Sequence, residues 1–183
     1  MTSLTLGSLT APPASHNLGI LAAPTAALIR ELGWEDRLGA VEIDPEISDT
    51  PKLVEAYGLT TDLAANCVLV SGARNGEERV AACVVLAHTR ADINGAVRKR
   101  LDVRKASFMP LDLAVERTHM EYGGITPFGL PAGWPILIDS LVLDYPLLTL
   151  GAGVRAAKII APGALLAELP HAEVIEGLAR PIA

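Results

Sequence analysis

Residues 123–135 form the segment of this chain best suited to chemistry, because seven of the thirteen are Gly or Pro. Glycines allow tight turns and let a ligand approach the backbone, and Pro127 fixes the direction of the chain. A loop of this kind can direct several amide N–H groups at one negatively charged oxygen. The same composition is also typical of a wide connection between a helix and a strand. From the residues alone, both interpretations stay open.

Other familiar catalytic patterns do not occur in the sequence. Two cysteines and four histidines form no pair at metal-ligand spacing, and the His119-x-Glu121 pair lacks the downstream cysteines of a zinc deaminase. We find no Gly-x-Ser-x-Gly elbow, phosphate-binding P-loop or dinucleotide fingerprint. We therefore expect neither a metal ion nor a cofactor. Cys67 and Cys83 lie in apolar runs and are predicted to be buried free thiols.

Composition and charge exclude several classes of protein. The chain has 183 residues, half of them hydrophobic and only 4% aromatic, which suits one compact domain with an aliphatic core. A net charge of −6 argues against a general nucleic-acid coat protein, and we expect no DNA partner. Every apolar stretch is interrupted well short of about 20 residues, and residues 1–10 carry no Lys or Arg. We therefore expect no membrane association and a cytoplasmic location.

The chain divides into an N-terminal part, residues 1–40, and a main domain, residues 41–183. Residues 1–17 show no periodicity and are predicted to be a loose arm or an added edge strand, followed by a helix over residues 24–32. We expect this part to pack on the main domain. Within the main domain, Thr50 is predicted to cap a helix that ends before Gly58.

Strand signals dominate the rest of the chain. Residues 65–70 and 79–86 predict a hairpin joined by a polar stretch, and Thr89 resembles the cap of a helix that reaches Leu101. A strand is predicted over residues 103–108 and a helix over residues 111–118. Beyond the Gly/Pro loop, the predicted elements are strands at 136–142, 147–151, 154–160 and 173–176, with a short helix at 163–169. The predicted fold is mixed α+β, with a mainly antiparallel, partly closed sheet surrounded by helices.

Three segments in this order resemble the YbaK/EbsC family of prolyl-tRNA-synthetase-associated editing domains. They are Gly-Gly-Ile-Thr-Pro-Phe-Gly at 123–129, Pro-Ile-Leu-Ile-Asp at 135–139 and Gly-Ala-Gly at 151–153. The resemblance covers about residues 41 to 180. It implies the family's fold and hydrolysis of the ester that joins a small, wrong amino acid to the 3′ end of a tRNA. It also implies a free-standing enzyme or an inserted domain, with mischarged tRNA and prolyl-tRNA synthetase as partners.

The resemblance implies a role for individual residues as well. Family members use no Ser or Cys nucleophile: backbone amides of the loop hold the ester carbonyl, and a water or a substrate hydroxyl takes part in the attack. Tyr122, next to the loop, either orients water or a substrate amine or is an ordinary half-buried phenol. By this resemblance the catalytic loop consists of Gly123, Gly124, Ile125, Thr126 and Pro127, and the pocket is lined or supported by Asp139 and Gly151.

Two positions depart from the family pattern. Editing members carry a lysine near the start of the helix after the hairpin, where this chain has Asn94, and a second basic position in the preceding strand is Asn66. An amide can hydrogen-bond a phosphate or a carbonyl, but it supplies no charge. Either another group replaces the lysine, or the substrate differs, or the protein binds aminoacyl-tRNA or a small amino-acid-like ligand without turnover.

A basic segment lies between residues 98 and 105. It places five of the fifteen basic residues within eight positions. We interpret it either as a docking edge for tRNA phosphates or as a solvated helix end whose cations complement the helix dipole. Its members are Arg98, Lys99, Arg100, Arg104 and Lys105.

Overall fold

The computed structural model describes residues 2–182, which form two main sheets, two small two-stranded sheets and four α-helices. The strands are β1 (Leu4–Leu6), β2 (Leu9–Ala11), β3 (Gly39–Glu42), β4 (Ala65–Arg74), β5 (Glu77–Leu86), β6 (Thr89–Ala91), β7 (Ala106–Phe108), β8 (Ile136–Asp139), β9 (Leu148–Gly151), β10 (Ala157–Ala161), β11 (Ala172–Ile175) and β12 (Ala179–Pro181). The α-helices are α1 (Ala23–Glu31), α2 (Thr50–Tyr57), α3 (Arg98–Leu101) and α4 (Leu111–Thr118).

The larger sheet has the order β11-β8-β5-β4-β7 and is built on the long β4–β5 hairpin. Its strands pair antiparallel, except that β8 runs parallel to both β5 and β11. The hairpin turn consists of Asn75 and Gly76 alone, both with positive φ, as a two-residue turn requires. Most of the polar stretch between residues 70 and 79, which was predicted to be a turn, is therefore strand. Exposed polar side chains do not prevent backbone pairing.

The smaller sheet has the order β3-β10-β9 and is antiparallel throughout. The central strand β10 is buried along its whole length. A bridge between Ala64 and Thr149 joins the chain just before β4 to β9. This contact brings the two sheets together and leaves a cleft beside it. The mixed, mainly antiparallel and partly closed architecture predicted from the sequence is confirmed, although the described strands do not complete a barrel.

The helices around the cleft begin and end for identifiable reasons. Helix α2 starts after Asp49, contains Pro51 in its first turn and ends at Gly58 in the left-handed conformation. Helix α4 spans the predicted residues. The prediction that Thr89 caps a helix was wrong: Thr89 lies in β6, and the carboxylate of Asp92 instead accepts the amides of Gly95 and Ala96. Aspartate reaches two amides at once, whereas the Thr89 hydroxyl donates to the carbonyl of Leu86.

Residues of the N-terminal part pack against the loops that follow α4 and β9. The buried hydroxyl of Thr25 donates to the carbonyl of Phe128 at 3.0 Å. The amide of Ala22 donates to the carbonyl of Ala152 at 3.1 Å. Helix α1 thus braces both loops that surround the cleft. No helix in residues 2–182 is long and apolar enough to cross a membrane.

Candidate functional site

One cleft of about 540 Å³ lies where β4, β9 and β10 meet the loop after α4. Its walls are the start of β4, the end of β7 with the start of α4, and the segment that leads into α2. Gly123 and Ile125 of the Gly/Pro loop border it directly. Its lining combines polar residues with aliphatic and aromatic ones, which makes this an amphipathic cleft suited to a small organic ligand.

The Gly/Pro loop is held against the loop after β9 by backbone hydrogen bonds. The amide of Glu121 donates to the carbonyl of Gly153 at 2.8 Å, and the amide of Gly153 donates to the carbonyl of Gly124 at 2.7 Å. A Cβ added at Gly124 would stand 2.6 Å from the backbone of Val154, so only glycine permits this approach. The loop is therefore rigidly placed at the edge of the cleft.

Some loop amides are engaged and others are free. The amide of Gly124 donates to the carbonyl of Glu121 at 3.0 Å. The amides of Gly123 and Ile125 donate no hydrogen bond to any described residue. Both residues line the cleft, so two backbone N–H groups without a described partner lie at its edge.

Lys158 lies in the cleft wall on β10 with only 6% of its surface exposed. No described carboxylate lies within 4.0 Å of its ammonium. Burial, helped by the neighbouring Arg155 charge and opposed by Asp49, lowers the pKa of the Lys158 ammonium to about 8. A buried cation without a partner is unfavourable for folding, which is typical of a functional group.

Thr149, like Lys158, is a polar side chain in the cleft wall that makes no hydrogen bond to a described residue. Its hydroxyl is buried, lines the cleft and has no described partner. Gly151, two residues along β9, lies on the same face and pairs directly with Lys158 across the sheet. We call Thr149, Gly151 and Lys158 the polar floor of the cleft. A ligand with oxygen atoms can satisfy both unpartnered side chains at once.

Arg155 links the two sides of the cleft beside Gly123. Its guanidinium donates to the carboxylate of Asp49 at 3.3 Å and to the carbonyl of Pro45 at 3.0 Å. Its backbone amide donates to the carboxylate of Glu121 at 2.6 Å. The Arg155 guanidinium and the Lys158 ammonium thus bring two cations to this end of the cleft, where the carboxylates of Asp49 and Glu121 also lie.

Several residues singled out from the sequence line this cleft. Asn66 does so on β4, and its carbonyl oxygen accepts a hydrogen bond of 3.3 Å from the hydroxyl of Thr50. Tyr122 stands exposed at the mouth. The same cleft is lined by Gly123, Ile125 and Gly151. The remaining loop residues Gly124, Thr126 and Pro127 are buried behind this lining.

Asn94 does not line the cleft. It is exposed in the helical turn between β6 and α3, and its carbonyl accepts a hydrogen bond from the Arg98 side chain. Of the two positions at which the family pattern has a basic residue, the structure therefore brings only Asn66 to the cleft.

Asp139 is buried away from the cleft lining. Its two carboxylate oxygens accept the amides of Leu141 at 3.1 Å and Ala179 at 2.8 Å. These contacts fix the end of β8 and the C-terminal segment. The position the structure gives Asp139 is thus one of support for the fold.

Replacement of Asp139 by alanine should lower the free energy of unfolding by about 2 to 4 kcal/mol, because two partly buried amides lose a charged acceptor. Chemical unfolding measures this change. We expect any activity of the surviving folded protein to stay within about threefold of the wild type, since Asp139 does not line the cleft. A normal stability with a lost activity would contradict this assignment.

The basic segment runs along the outside of the molecule. None of its five side chains lines the cleft, and Arg100 is engaged by two hydrogen bonds with the carboxylate of Glu173. Arg104 and Lys105 lie directly before β7, whose last residue, Phe108, is at the cleft. The segment therefore leads toward the cleft without entering it.

Sequence reasoning missed Lys158, Thr149 and Arg155. One signal could have indicated Lys158: it is the only charge in the run Ala-Ala-Lys-Ile-Ile-Ala over residues 156–161. A single lysine in a strand whose residues do not alternate between polar and apolar is unusual unless it has a function. Thr149 and Arg155 give no comparable signal.

The cysteines are unsuited to nucleophilic attack. Cys67 lines the cleft, but burial raises the pKa of its thiol well above the usual range. Burial also raises the pKa of Cys83, to about 12. Because the thiolate is the reactive form, neither side chain is activated at neutral pH.

Comparisons with known proteins agree with this geometry. A family model of the aminoacyl-tRNA editing domain matches residues 44–169. No curated protein matches the chain. Among solved structures, one provisionally assigned as a trans-editing enzyme for prolyl-tRNA synthetase is 20% identical, with a TM-score of 0.72 over 85% of this chain and 94% of its own.

Two further solved structures share the fold. A hypothetical protein is 18% identical, with a TM-score of 0.74 over 86% of this chain and 99% of its own. A scaffold from a study of computational epitope grafting is 19% identical, with a TM-score of 0.72 over 88% and 97%. The family match covers more than half of the chain and confirms the resemblance found in the sequence. The protein belongs to the aminoacyl-tRNA editing domain family.

Proposed function

We propose that this protein is a free-standing aminoacyl-tRNA deacylase that hydrolyses the ester of a small mischarged amino acid. The observation that carries the proposal is the cleft itself. It brings two unpaired loop amides, of Gly123 and Ile125, to the same space as a buried, unpaired lysine. Hydrogen-bond donors and a cation around one small space favour a reaction in which negative charge develops on oxygen.

The proposed reaction needs no protein nucleophile. A water molecule gives up a proton to the solvent as it adds to the ester carbonyl carbon, and negative charge passes to the carbonyl oxygen, where the amides of Gly123 and Ile125 donate hydrogen bonds. The Lys158 ammonium stabilises the same charge through space. Collapse of the intermediate breaks the bond to the ribose oxygen, which takes up a proton. The products are a free amino acid and a tRNA with its terminal ribose hydroxyl restored.

Size selection follows from the space available. The cleft of about 540 Å³ must hold the amino acid and part of the terminal nucleotide, so little room remains for the amino-acid side chain. The aliphatic wall includes Met109 and Ala114. An apolar wall of this kind suits residues the size of alanine or cysteine and excludes larger ones by contact.

Contacts with the rest of the tRNA are proposed for the basic segment. Arg98, Lys99, Arg104 and Lys105 lie outside the ion pairs found among the described residues and can contact phosphates, whereas Arg100 is held by Glu173. Asn66 is proposed to hydrogen-bond the substrate at the cleft. Because the solved relative named above is assigned to act in trans for prolyl-tRNA synthetase, we also propose tRNA charged in error by that enzyme as the substrate.

Release of labelled amino acid from purified mischarged tRNAs tests the function. We expect turnover with alanine or cysteine esters and little with the correctly charged tRNA. Tight binding of these tRNAs without hydrolysis would instead favour a binding module, in which Asn94 stands at the position of the family's lysine and turnover is lost. If neither binding nor hydrolysis occurs with any tRNA, the proposal is wrong.

A further inference from the structure

Two exposed aromatic side chains stand at the mouth of the cleft. Phe108, at the end of β7, is 53% exposed, and Tyr122, just before Gly123, is 62% exposed. Both line the cleft. Aromatic residues make up only 4% of the chain, and no other aromatic side chain is exposed among residues 2–182. Exposed aromatic rings concentrated at one opening indicate a binding surface.

These rings lie on both flanks of one helix. Phe108 precedes α4 and Tyr122 follows it, and the exposed Leu111 at the start of α4 lies between them along the chain and also lines the cleft. The interior holds the buried cation Lys158, and the basic segment leads to Phe108 through Lys105. An apolar rim between two cationic regions complements a chain of planar bases joined by phosphates.

We infer that Phe108 and Tyr122 form a stacking subsite for the unpaired bases at the 3′ end of an RNA substrate. The inference rests on the proposed function, because a tRNA carries its amino acid on such a single-stranded end. Bases stacked on the rim would direct the terminal ribose and its ester inward, toward the loop amides and the polar floor. The rings would then determine the affinity for the RNA, and the residues inside the cleft would act on the ester bond.

A binding experiment tests the subsite without any turnover. The probe is a 5′-fluorescein-labelled single-stranded RNA ending in CCA, compared with the same RNA in which the last two bases are replaced by abasic sugars. Both carry the same phosphate charge, so the difference reports contacts with the bases. We expect the wild type to bind the CCA probe about tenfold more tightly, and Phe108→Ala and Tyr122→Ala each to remove most of that difference.

Matched variants separate stacking from general surface effects. Tyr122→Phe keeps the ring and should keep the preference for the CCA probe. Leu141→Ala alters a side chain that is 55% exposed but lies outside the cleft, and it should change nothing. On mischarged tRNA, the two alanine variants should raise KM with little change in kcat.

The outcomes for subsite and function are distinguishable. Equal affinity of the wild type for both probes, or an unchanged preference in both alanine variants, overturns the subsite even if deacylation is observed. A base-dependent preference that the alanine variants abolish supports the subsite even if no tRNA is hydrolysed. In that case only the proposed hydrolysis is wrong.

Discussion

Lys158→Met should make the protein more stable at neutral pH while removing most of the deacylation activity proposed above. Burial holds the pKa of Lys158 at about 8, below its ordinary value of 10.5, so the folded protein binds this proton less tightly than the unfolded chain does. Stability therefore falls as the pH drops from about 10.5 to about 8, and the whole penalty is present at pH 7. It amounts to about 3 kcal/mol. Methionine has a similar length but no charge, so it avoids this penalty.

Urea unfolding at pH 7 and at pH 10 measures this effect, and the advantage of Lys158→Met should shrink at the higher pH. Lys52→Met is the matched control, because Lys52 is exposed on α2 and should alter neither stability nor activity by much. We expect kcat/KM of Lys158→Met to fall about 100-fold, as expected when a charge facing the reacting oxygen is lost. A less stable variant with normal activity would show that Lys158 is only a packing residue.

The pH dependence of wild-type turnover provides a second readout of the same residue. If the protonated ammonium stabilises the transition state, the rate corrected for spontaneous ester hydrolysis should decline above about pH 8, where Lys158 loses its proton. The residual activity of Lys158→Met should lack this decline.

Gly124→Ala should reduce both activity and stability. The added Cβ would stand 2.6 to 2.8 Å from three backbone atoms of Val154, so the loop must move away from the chain after β9. That movement breaks the 2.7 Å hydrogen bond from the amide of Gly153 and displaces the amides of Gly123 and Ile125. We expect a loss of about 2 kcal/mol in the free energy of unfolding. Because donors must be placed to within fractions of an ångström, kcat should fall about 100-fold.

The control for this variant is Gly19→Ala, since no atom lies within 4 Å of a Cβ added there. It should unfold and turn over as the wild type does. Normal kcat in Gly124→Ala, measured in single-turnover assays of folded protein, would mean that the loop amides do not act on the substrate.

Local features of the sequence were sufficient to predict many elements. Pro51 and Gly58 mark the ends of α2, and the apolar spacing of residues 111–118 predicts α4. These signals act through neighbours in sequence, which is why they can be read without a structure. The length of the β4–β5 hairpin and the cap at Asp92 were predicted less well. In both cases several polar residues competed for one local role, and long-range pairing or geometry decided between them.

In the candidate site, too, some features could be predicted from the local sequence and others could not. The Gly/Pro loop at residues 123–127 was identifiable from the sequence, because its composition allows few conformations and its order matches a known family.

The positions of Lys158 and Thr149 were decided by tertiary structure. In a strand that is buried on both faces, polar and apolar residues do not alternate, so the sequence does not show which face borders a cleft. The position of Asp139 was likewise decided by a distant contact, with the amide of Ala179, because an aspartate at a strand end can face a cleft or bind amides of another segment. The sequence by itself therefore determined the family, the loop and most elements. The fold alone decided which polar side chains meet around one cleft, because that depends on residues far apart along the chain.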